Sequence, residues 1–238
     1  MAHAAPTPVE PVIVNGNFEL FTPTTATPTA KSTEFGTRYG GQVVTGWTTT
    51  GYNFVFLPGT ADTTGAANEF SQQLQLWGPH NGAPATNMLP AASPVGGNFI
   101  AADGPFNPGA IQQTVTNLSP GSVANISFYW AGAQQFGFNG ATTEQWQVTL
   151  GNETHSTAVL NNVSNGFTGW QQTTLSFVVT NATEVLSFLA IGTPNGVPPF
   201  NLLDGVSITQ VPEPASMALL GTGLAFAGLT ARRRRRAA

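Results

Sequence analysis

Residues 123–130, VANISFYW, decide the fold class of this chain. Successive side chains of a β-strand point to opposite faces, so Ile126, Phe128 and Trp130 share one face, and Ser127 and Tyr129 share the other. A row of large apolar side chains backed by a polar row is typical of a strand with one face on the core. The stretch therefore predicts a half-buried antiparallel strand with Trp130 in the core.

The same period of two recurs along the second half of the chain. Residues 145–150, 173–180 and 186–190 alternate apolar and polar side chains, and Trp146 lies in an inward row. Turn-forming residues such as Asn165 and Gly166 separate these stretches. Many short antiparallel strands in one chain predict an all-β fold, specifically a two-sheet antiparallel β-sandwich.

The first half of the chain has a weaker pattern. We expect a first strand within residues 12–21, one or two more within 41–56, and another at 98–102. Residues 57–97 are rich in Gly, Pro, Ala, Thr and Asn and are expected to form a long loop with one short strand near 74–77. A loop of this length inside a compact domain is either functional or poorly ordered.

Charge and cysteine content exclude several classes of function. Charged residues make up 8% of the chain, and up to Val211 the basic residues are Lys31 and Arg38 against ten carboxylates. Such a surface repels phosphate backbones, so the sequence predicts no nucleic-acid partner. The chain contains no cysteine, which excludes disulfides and thiolate metal sites.

The C-terminal end combines an apolar stretch with a block of positive charge. Residues 215–231 contain no charged side chain and would form a helix of roughly 25 Å at about 1.5 Å per residue. A buried core helix is the alternative, but it seldom ends in a self-repelling cluster that needs water or anionic lipid. We therefore expect a short C-terminal transmembrane helix followed by a cytoplasmic cluster made of Arg232, Arg233, Arg234, Arg235 and Arg236.

Pro212, Glu213 and Pro214 stand directly before this apolar stretch and predict an extended, accessible element. The triplet, the short helix and the arginine cluster together resemble the PEP-CTERM sorting signal of bacterial exported proteins. The resemblance covers residues 211–238 and implies Sec export, followed by recognition and cleavage near the triplet by a membrane exosortase. It places the protein in the cell envelope or outside the cell, anchored transiently or stably in the inner membrane. A plain anchor that stays uncut is the alternative.

The N-terminal segment, residues 1–11, has a small-x-small pattern at Ala2, His3 and Ala4. This pattern is typical of the end of a signal-peptide cleavage site, here without the basic and apolar parts that precede one. We expect a signal-peptide remnant, with the start codon assigned too late or the sequence beginning near the mature terminus.

A second resemblance spans the region between the two ends. Its pieces, in order, are VNGNFE at 14–19, GW at 46–47, GGNFIAADG at 96–104, IQQTVTNLSPG at 111–121, ISFYWAG at 126–132 and PPFNLLDGVSIT at 198–209. Together they resemble the galactose-binding-like jelly-roll domains of the carbohydrate-binding-module type. The resemblance implies one jelly-roll β-sandwich domain over residues 12–210.

That resemblance also implies a structural calcium ion between the first and last strands. Carried onto this chain, the ligands are the carboxylates of Glu19 and Asp204 and the backbone carbonyl of Asn17. Asp204 shares the parity of Leu202 and Val206, so its carboxylate is expected to point inward, where it needs a cation or several hydrogen bonds. The alternative is that Asp204 accepts backbone N–H bonds and Glu19 is solvated.

Aromatic side chains outside the inward rows are candidates for binding a ligand. Trp47 lies beside a glycine, Trp77 lies in the long loop, and Phe138 lies in the Gly-rich stretch QQFGFNG. Exposed rings of this kind stack on the apolar faces of sugars, and they also occur at protein contact sites. We expect these three residues to form an exposed platform.

No catalytic motif stands out. His80 and His155 lie outside any HExxH frame, and no GxSxG sequence occurs. We therefore expect a non-enzymatic, exported envelope or matrix protein that binds extracellular polysaccharide or serves as a structural component. The alternatives are a glycoside-type extracellular hydrolase on the same sandwich and a protein–protein adhesion module.

Overall fold

The computed structural model describes residues 10–23, 32–35, 42–67 and 73–211. Within these ranges the chain forms strands and turns without a helix. Nothing in this described part is a helix long and apolar enough to cross a bilayer. The strands are β1 (Phe21–Pro23), β2 (Ser32–Phe35), β3 (Gln42–Val44), β4 (Asn53–Phe56), β5 (Ala66–Ala67), β6 (Gln73–Leu74), β7 (Phe99–Asp103), β8 (Ile111–Val115), β9 (Val123–Gln134), β10 (Thr142–Leu150), β11 (Glu153–Ser156), β12 (Leu160–Asn162), β13 (Gln171–Val178), β14 (Glu184–Thr193) and β15 (Pro199–Val211).

Two sheets face each other and confirm the expected all-β sandwich. The larger sheet has the order β1-β3-β2-β4-β7-β15-β9-β13, with β5 and β6 attached to β2. The smaller sheet has the order β11-β10-β14-β8, with β12 beside β10. Pairing is antiparallel except where β2 meets β3 and β5. The expected helix at 215–231 lies outside the described residues.

The core between the sheets is built from the inward rows that the period-two pattern predicts. Trp130 of β9 is 1% exposed and Trp146 of β10 is fully buried, so both are confirmed as core residues. The indole N–H groups of these two residues both have partners: Trp130 donates to the Thr173 hydroxyl at 2.9 Å, and Trp146 donates to the Leu202 carbonyl at 3.0 Å. These bonds remove the penalty of burying an indole N–H.

A second core lies on the outer face of the larger sheet, where the described parts of residues 57–97 cover it. We call this stretch the covering segment. It was expected to be a functional or poorly ordered loop, and its described residues form a packed layer. Because of it, β4 and β7 are buried on both faces. The buried members of this core are Tyr52, Phe54, Phe56, Ala61, Leu74, Leu76, Leu89, Phe99, Ala101, Ala131, Ala133, Phe200 and Leu202.

The prediction of a first strand within residues 12–21 is wrong for most of that range. Residues 14–17 form a turn, and β1 begins only at Phe21. Asn15 and Phe18 have φ angles of 52° and 55°, which an extended strand does not permit. The Asn15 side chain fixes this turn, accepting from Leu20 N at 3.0 Å and donating to the Leu20 carbonyl at 2.8 Å.

Candidate functional site

The half-buried Trp77 contacts two residues with exposed rings just beyond the end of β9, namely the ring of Phe136 and the backbone of Phe138. We call Trp77, Phe136 and Phe138 the aromatic surface. Phe136 is 40% exposed and Phe138 is 38% exposed. The ring centroids of Trp77 and Phe136 are 4.6 Å apart at an interplanar angle of 62°, and the Trp77 indole donates to the Phe138 carbonyl at 2.7 Å. The edge-to-face contact and the hydrogen bond hold Trp77 against the Phe136 ring and the Phe138 backbone.

Backbone pairing joins the covering segment to the chain beyond β9 and holds these rings in place. Trp77 N donates to the Gln134 carbonyl at 2.9 Å, and Phe136 N donates to the Gln75 carbonyl at 2.8 Å. Leu76 and Gln135 form an antiparallel bridge between these two bonds. The rings therefore stand on a short hydrogen-bonded ladder, which limits their motion relative to the sandwich.

In the turn that follows Trp77, His80 pairs with Asp62, which lies earlier in the covering segment. Asp62 Oδ2 accepts from the backbone N of His80 at 3.0 Å and lies 2.9 Å from His80 Nδ1. A carboxylate only accepts, so Nδ1 carries the proton in the neutral imidazole and Nε2 is left as an acceptor. The His80 side chain is 68% exposed and that of Asp62 is 7% exposed, so the imidazole is the part that a ligand reaches.

The structure brings together two of the three residues expected to form a platform. Trp77 and Phe138 meet, but Trp47 is only 2% exposed and its inclusion was wrong. Trp47 packs against Phe18 and Phe188 with centroid distances of 5.3 Å and 6.2 Å, so it is a core residue. Sequence reasoning missed Phe136, although Gly137, whose φ is 89°, separates two phenylalanines in a turn-like stretch.

The carboxylates of Glu19 and Asp204 belong to a different region. Val206 N donates to the Gly16 carbonyl at 2.8 Å, which holds the N-terminal turn against β15. An added Cβ on Gly16 would overlap the Val206 carbonyl, so only glycine permits this approach. The exposed Glu19 side chain accepts from Asn98 N at 2.7 Å. The exposed Asn17, the third expected ligand, lies in the same turn.

Asp204 is fully buried, as its parity predicts, but the underlying geometry differs from the simple alternation assumed. The ladder between β15 and β9 shifts register between Asp204 and Ser207, and Gly205 has a φ of 61°. This bulge puts Val206 in the core between the sheets, whereas Asp204 lies under the covering segment, where the Ser93 hydroxyl donates to its Oδ2. Gly205 N donates to its Oδ1 at 2.7 Å.

Burial, and to a smaller extent the negative charge of Glu19, raises the pKa of Asp204 to about 7, although the bonds from Ser93 and Gly205 offset part of the rise. A like charge near a buried carboxyl is relieved by a cation. Carboxylate and hydroxyl oxygens are the donors that calcium takes, so the chemistry of Glu19, Asp204 and Ser93 fits this ion. Within the described ranges no three His, Asp or Glu side chains cluster, so further ligands would be backbone oxygens such as that of Asn17.

The expected sorting residues, Pro212, Glu213, Pro214 and Arg232 to Arg236, lie outside the described residues. A comparison with known protein families includes this part of the chain. Residues 210–236 match the PEP-CTERM protein-sorting motif. The motif indicates an exported, envelope-associated protein that an exosortase processes.

No curated protein matches the chain. Among solved structures, the chain is similar to the CBM22-1 xylan-binding domain from Paenibacillus barcinonensis Xyn10C, at 13% identity and a TM-score of 0.39, over 88% of this chain and 100% of that domain. It is also similar to TmCBM61 in complex with beta-1,4-galactotriose, at 11% identity and a TM-score of 0.37, over 70% of this chain and 90% of that one. An adhesin domain of Lys-gingipain from Porphyromonas gingivalis is 14% identical with a TM-score of 0.31, over 56% of this chain and 97% of that one.

Proposed function

We propose that this chain is an exported protein of the cell envelope or extracellular matrix that binds polysaccharide at the aromatic surface. The observation that carries the proposal is the pair of exposed rings, Phe136 and Phe138, whose backbone is joined to Trp77 by hydrogen bonds and by the ladder beyond β9. Exposing two neighbouring large apolar rings is unfavourable in water, and a ligand with apolar faces offsets this cost.

The position of the aromatic surface suits a protein that is sorted by its C-terminus. The last described residue, Val211, pairs with Val123 at the start of β9, whereas Phe136 follows Gln134 at its end. Strand β9 has 12 residues, so these ends are about 36 Å apart at roughly 3.3 Å per residue. The aromatic surface and the point where the sorting motif begins therefore lie at opposite ends of the sandwich.

Retention on immobilised polysaccharides tests the binding proposal. We expect the double substitution Phe136→Ala and Phe138→Ala to lower retention at least tenfold. Phe106→Ala is the matched control, because Phe106 is 41% exposed at another place in the chain and should leave retention unchanged. Unaltered retention in the double variant would show that the aromatic surface is not the binding site.

Two alternatives give different results in the same assay. Release of reducing ends, abolished by one carboxylate substitution, would establish a glycoside-type hydrolase on the sandwich. Retention on envelope proteins but on no polysaccharide would establish an adhesion module, since exposed aromatic rings also mark protein contacts.

We further propose that the chain leaves the cell by the Sec route and is anchored, at least transiently, through residues 215–231. Intact-mass measurement of the protein recovered from the envelope tests this part. A mature C-terminus near Glu213 is expected. A mass that includes Arg232 to Arg236 would instead show an anchor that stays uncut.

We also propose that Glu19 and Asp204 hold a structural calcium ion. The support is the negative charge of the exposed Glu19 acting on the buried Asp204 carboxyl, a repulsion that a divalent cation would relieve. Calcium at about 100 times its dissociation constant would stabilise the fold by about 2.7 kcal/mol and raise the melting temperature. Asp204→Asn should abolish this rise, and Glu153→Gln, a change of a carboxylate elsewhere, should keep it. A melting temperature that is the same with calcium and with chelator would refute the proposal.

A further inference from the structure

We propose that the aromatic surface selects uncharged polysaccharides and excludes acidic ones. This inference rests on the proposed function, because it concerns the ligand class of the same site. It follows from the charges around the three rings and from the kinds of hydrogen-bonding groups that the site presents.

Protein sites bind carboxylate and sulfate groups through arginine, lysine or the N-terminus of a helix. The described part of the chain contains nine carboxylates, no lysine, no arginine and no helix; it comprises residues 10–23, 32–35, 42–67 and 73–211. Within those ranges, histidine is therefore the side chain type that can become cationic. His155 lies on β11, 2.7 Å from Glu153, which leaves His80 as the histidine beside the aromatic surface.

The pairing of His80 with Asp62 keeps this turn from becoming positive. With a neutral imidazole the pair carries one negative charge, and with an imidazolium it carries none. Asp62 is held there by two bonds from His80 and is almost fully buried, so it cannot be displaced without losing both. Among the described residues, an acidic sugar approaching Trp77 therefore meets a charge that is negative or zero.

The groups that remain suit hydroxyls. His80 Nε2 is an exposed acceptor, and Asn139, next to Phe138, carries an exposed amide that both donates and accepts. A sugar hydroxyl also donates and accepts, so it can pair with either group, whereas a carboxylate can only accept. The aromatic rings supply binding to the apolar faces of the sugar, and this contribution does not depend on charge.

The test compares each neutral polysaccharide that the chain retains with its own carboxymethylated and hydroxyethylated forms. The two substituents are of similar size, but only the first is charged. We expect carboxymethylation to lower retention at least tenfold at low salt, with partial recovery as salt screens the repulsion, and hydroxyethylation to have little effect. Equal or tighter retention of the carboxymethylated form, or an equal loss with both forms, would overturn the inference.

Two further variants assign the effect to the aromatic surface. The assay uses the full chain with Arg232 to Arg236 changed to glutamine, and only retention that Phe136→Ala with Phe138→Ala removes is counted. Asn139→Lys should recover retention of the carboxymethylated form at least threefold, while Asn139→Gln should not. No recovery with lysine would overturn the role of local charge. If the aromatic surface retains acidic polysaccharides and no neutral one, the inference fails, and if it retains neither kind, the proposed function itself fails.

Discussion

The change Glu144→Gln should stabilise the protein, and its effect should grow with pH. Glu144 lies on the inner face of β10 and is fully buried. The Thr142 hydroxyl donates to its Oε1, but its Oε2 has no hydrogen-bond partner among the described residues. Burial therefore raises the pKa of Glu144 from 4.5 to about 8, and the side chains of Thr142 and Asn162 offset only part of this rise.

The direction of this pH-dependent change in stability follows from the linkage between proton binding and folding. A carboxyl whose pKa is raised on folding contributes full stability below its unfolded pKa, and this contribution is lost as pH rises through the folded pKa. With pKa values of 4.5 and about 8, the loss is about 1 kcal/mol at pH 5 and about 3 kcal/mol at pH 7. Glutamine keeps the shape and never ionises, so we expect Glu144→Gln to gain these amounts over the parent protein.

Urea unfolding at pH 4, 5 and 7 measures this difference. Glu184→Gln is the matched control of opposite sign. Burial raises the pKa of Glu184, but bonds from the Thr180 hydroxyl and from the backbone N of Thr180 and Asn181 outweigh it and lower the pKa overall. The control should therefore destabilise the protein above the ordinary pKa of glutamate. A Glu144→Gln protein that is less stable than the parent at pH 7, or whose gain is the same at pH 4 and pH 7, would refute the reasoning.

Three other changes test a buried hydrogen bond, close packing and a buried carboxyl in the sandwich. Thr173→Val removes the partner of the buried Trp130 indole and should cost about 1–2 kcal/mol in urea unfolding, whereas no change would show that this bond contributes nothing. Gly132→Ala places a Cβ where Glu144 Oε2 lies and should cost about 1–3 kcal/mol, with a smaller cost if glutamate at 144 is first changed to alanine. Burial raises the pKa of Asp103 to about 7, so Asp103→Asn should stabilise the protein at pH 8 and leave it unchanged at pH 3; equal effects at both pH values would contradict this.

The sequence predicts the centre of the sandwich well, because the alternation there is strict. Strands β10 and β14 have one buried row each, as β9 does up to Trp130, and large residues such as Trp130 and Trp146 fill these rows. A period of two is a direct consequence of strand geometry, so it needs no knowledge of the partner strands.

The sequence does not predict that the covering segment packs on the larger sheet, because the residues that it contacts are distant in sequence. Leu76 and Leu89 are buried against strands that include Phe200 and Leu202, and no local pattern reports such a contact. The same holds for the bulge after Asp204, where Gly205 moves the inward row from one face to the other.

The sequence predicts only part of the candidate site, because the contacts that assemble the site join residues that are distant in sequence. Glycine-rich composition identified the loop that holds Phe138, and the position of Trp77 in a long loop identified its partner. The contact between the two arises from backbone pairing of residues 75–77 with 134–136, which sequence alone does not reveal. Trp47 was misassigned because a neighbouring glycine is a weak sign of exposure. Its indole instead donates to the Asn15 carbonyl at 3.1 Å inside the core.

We expect the covering segment to be the last part of the aromatic surface to assemble. Its apolar residues pack on strands drawn from residues 54 to 202, so it has a surface to dock on only after most of the larger sheet has formed. Trp77 belongs to this late layer, whereas Phe136 and Phe138 follow the central strand β9. Local opening of the covering segment would separate the tryptophan from the two phenylalanines while the sandwich stays folded. Amide exchange at Leu76 and Trp77 thus reports directly on how often the surface is intact.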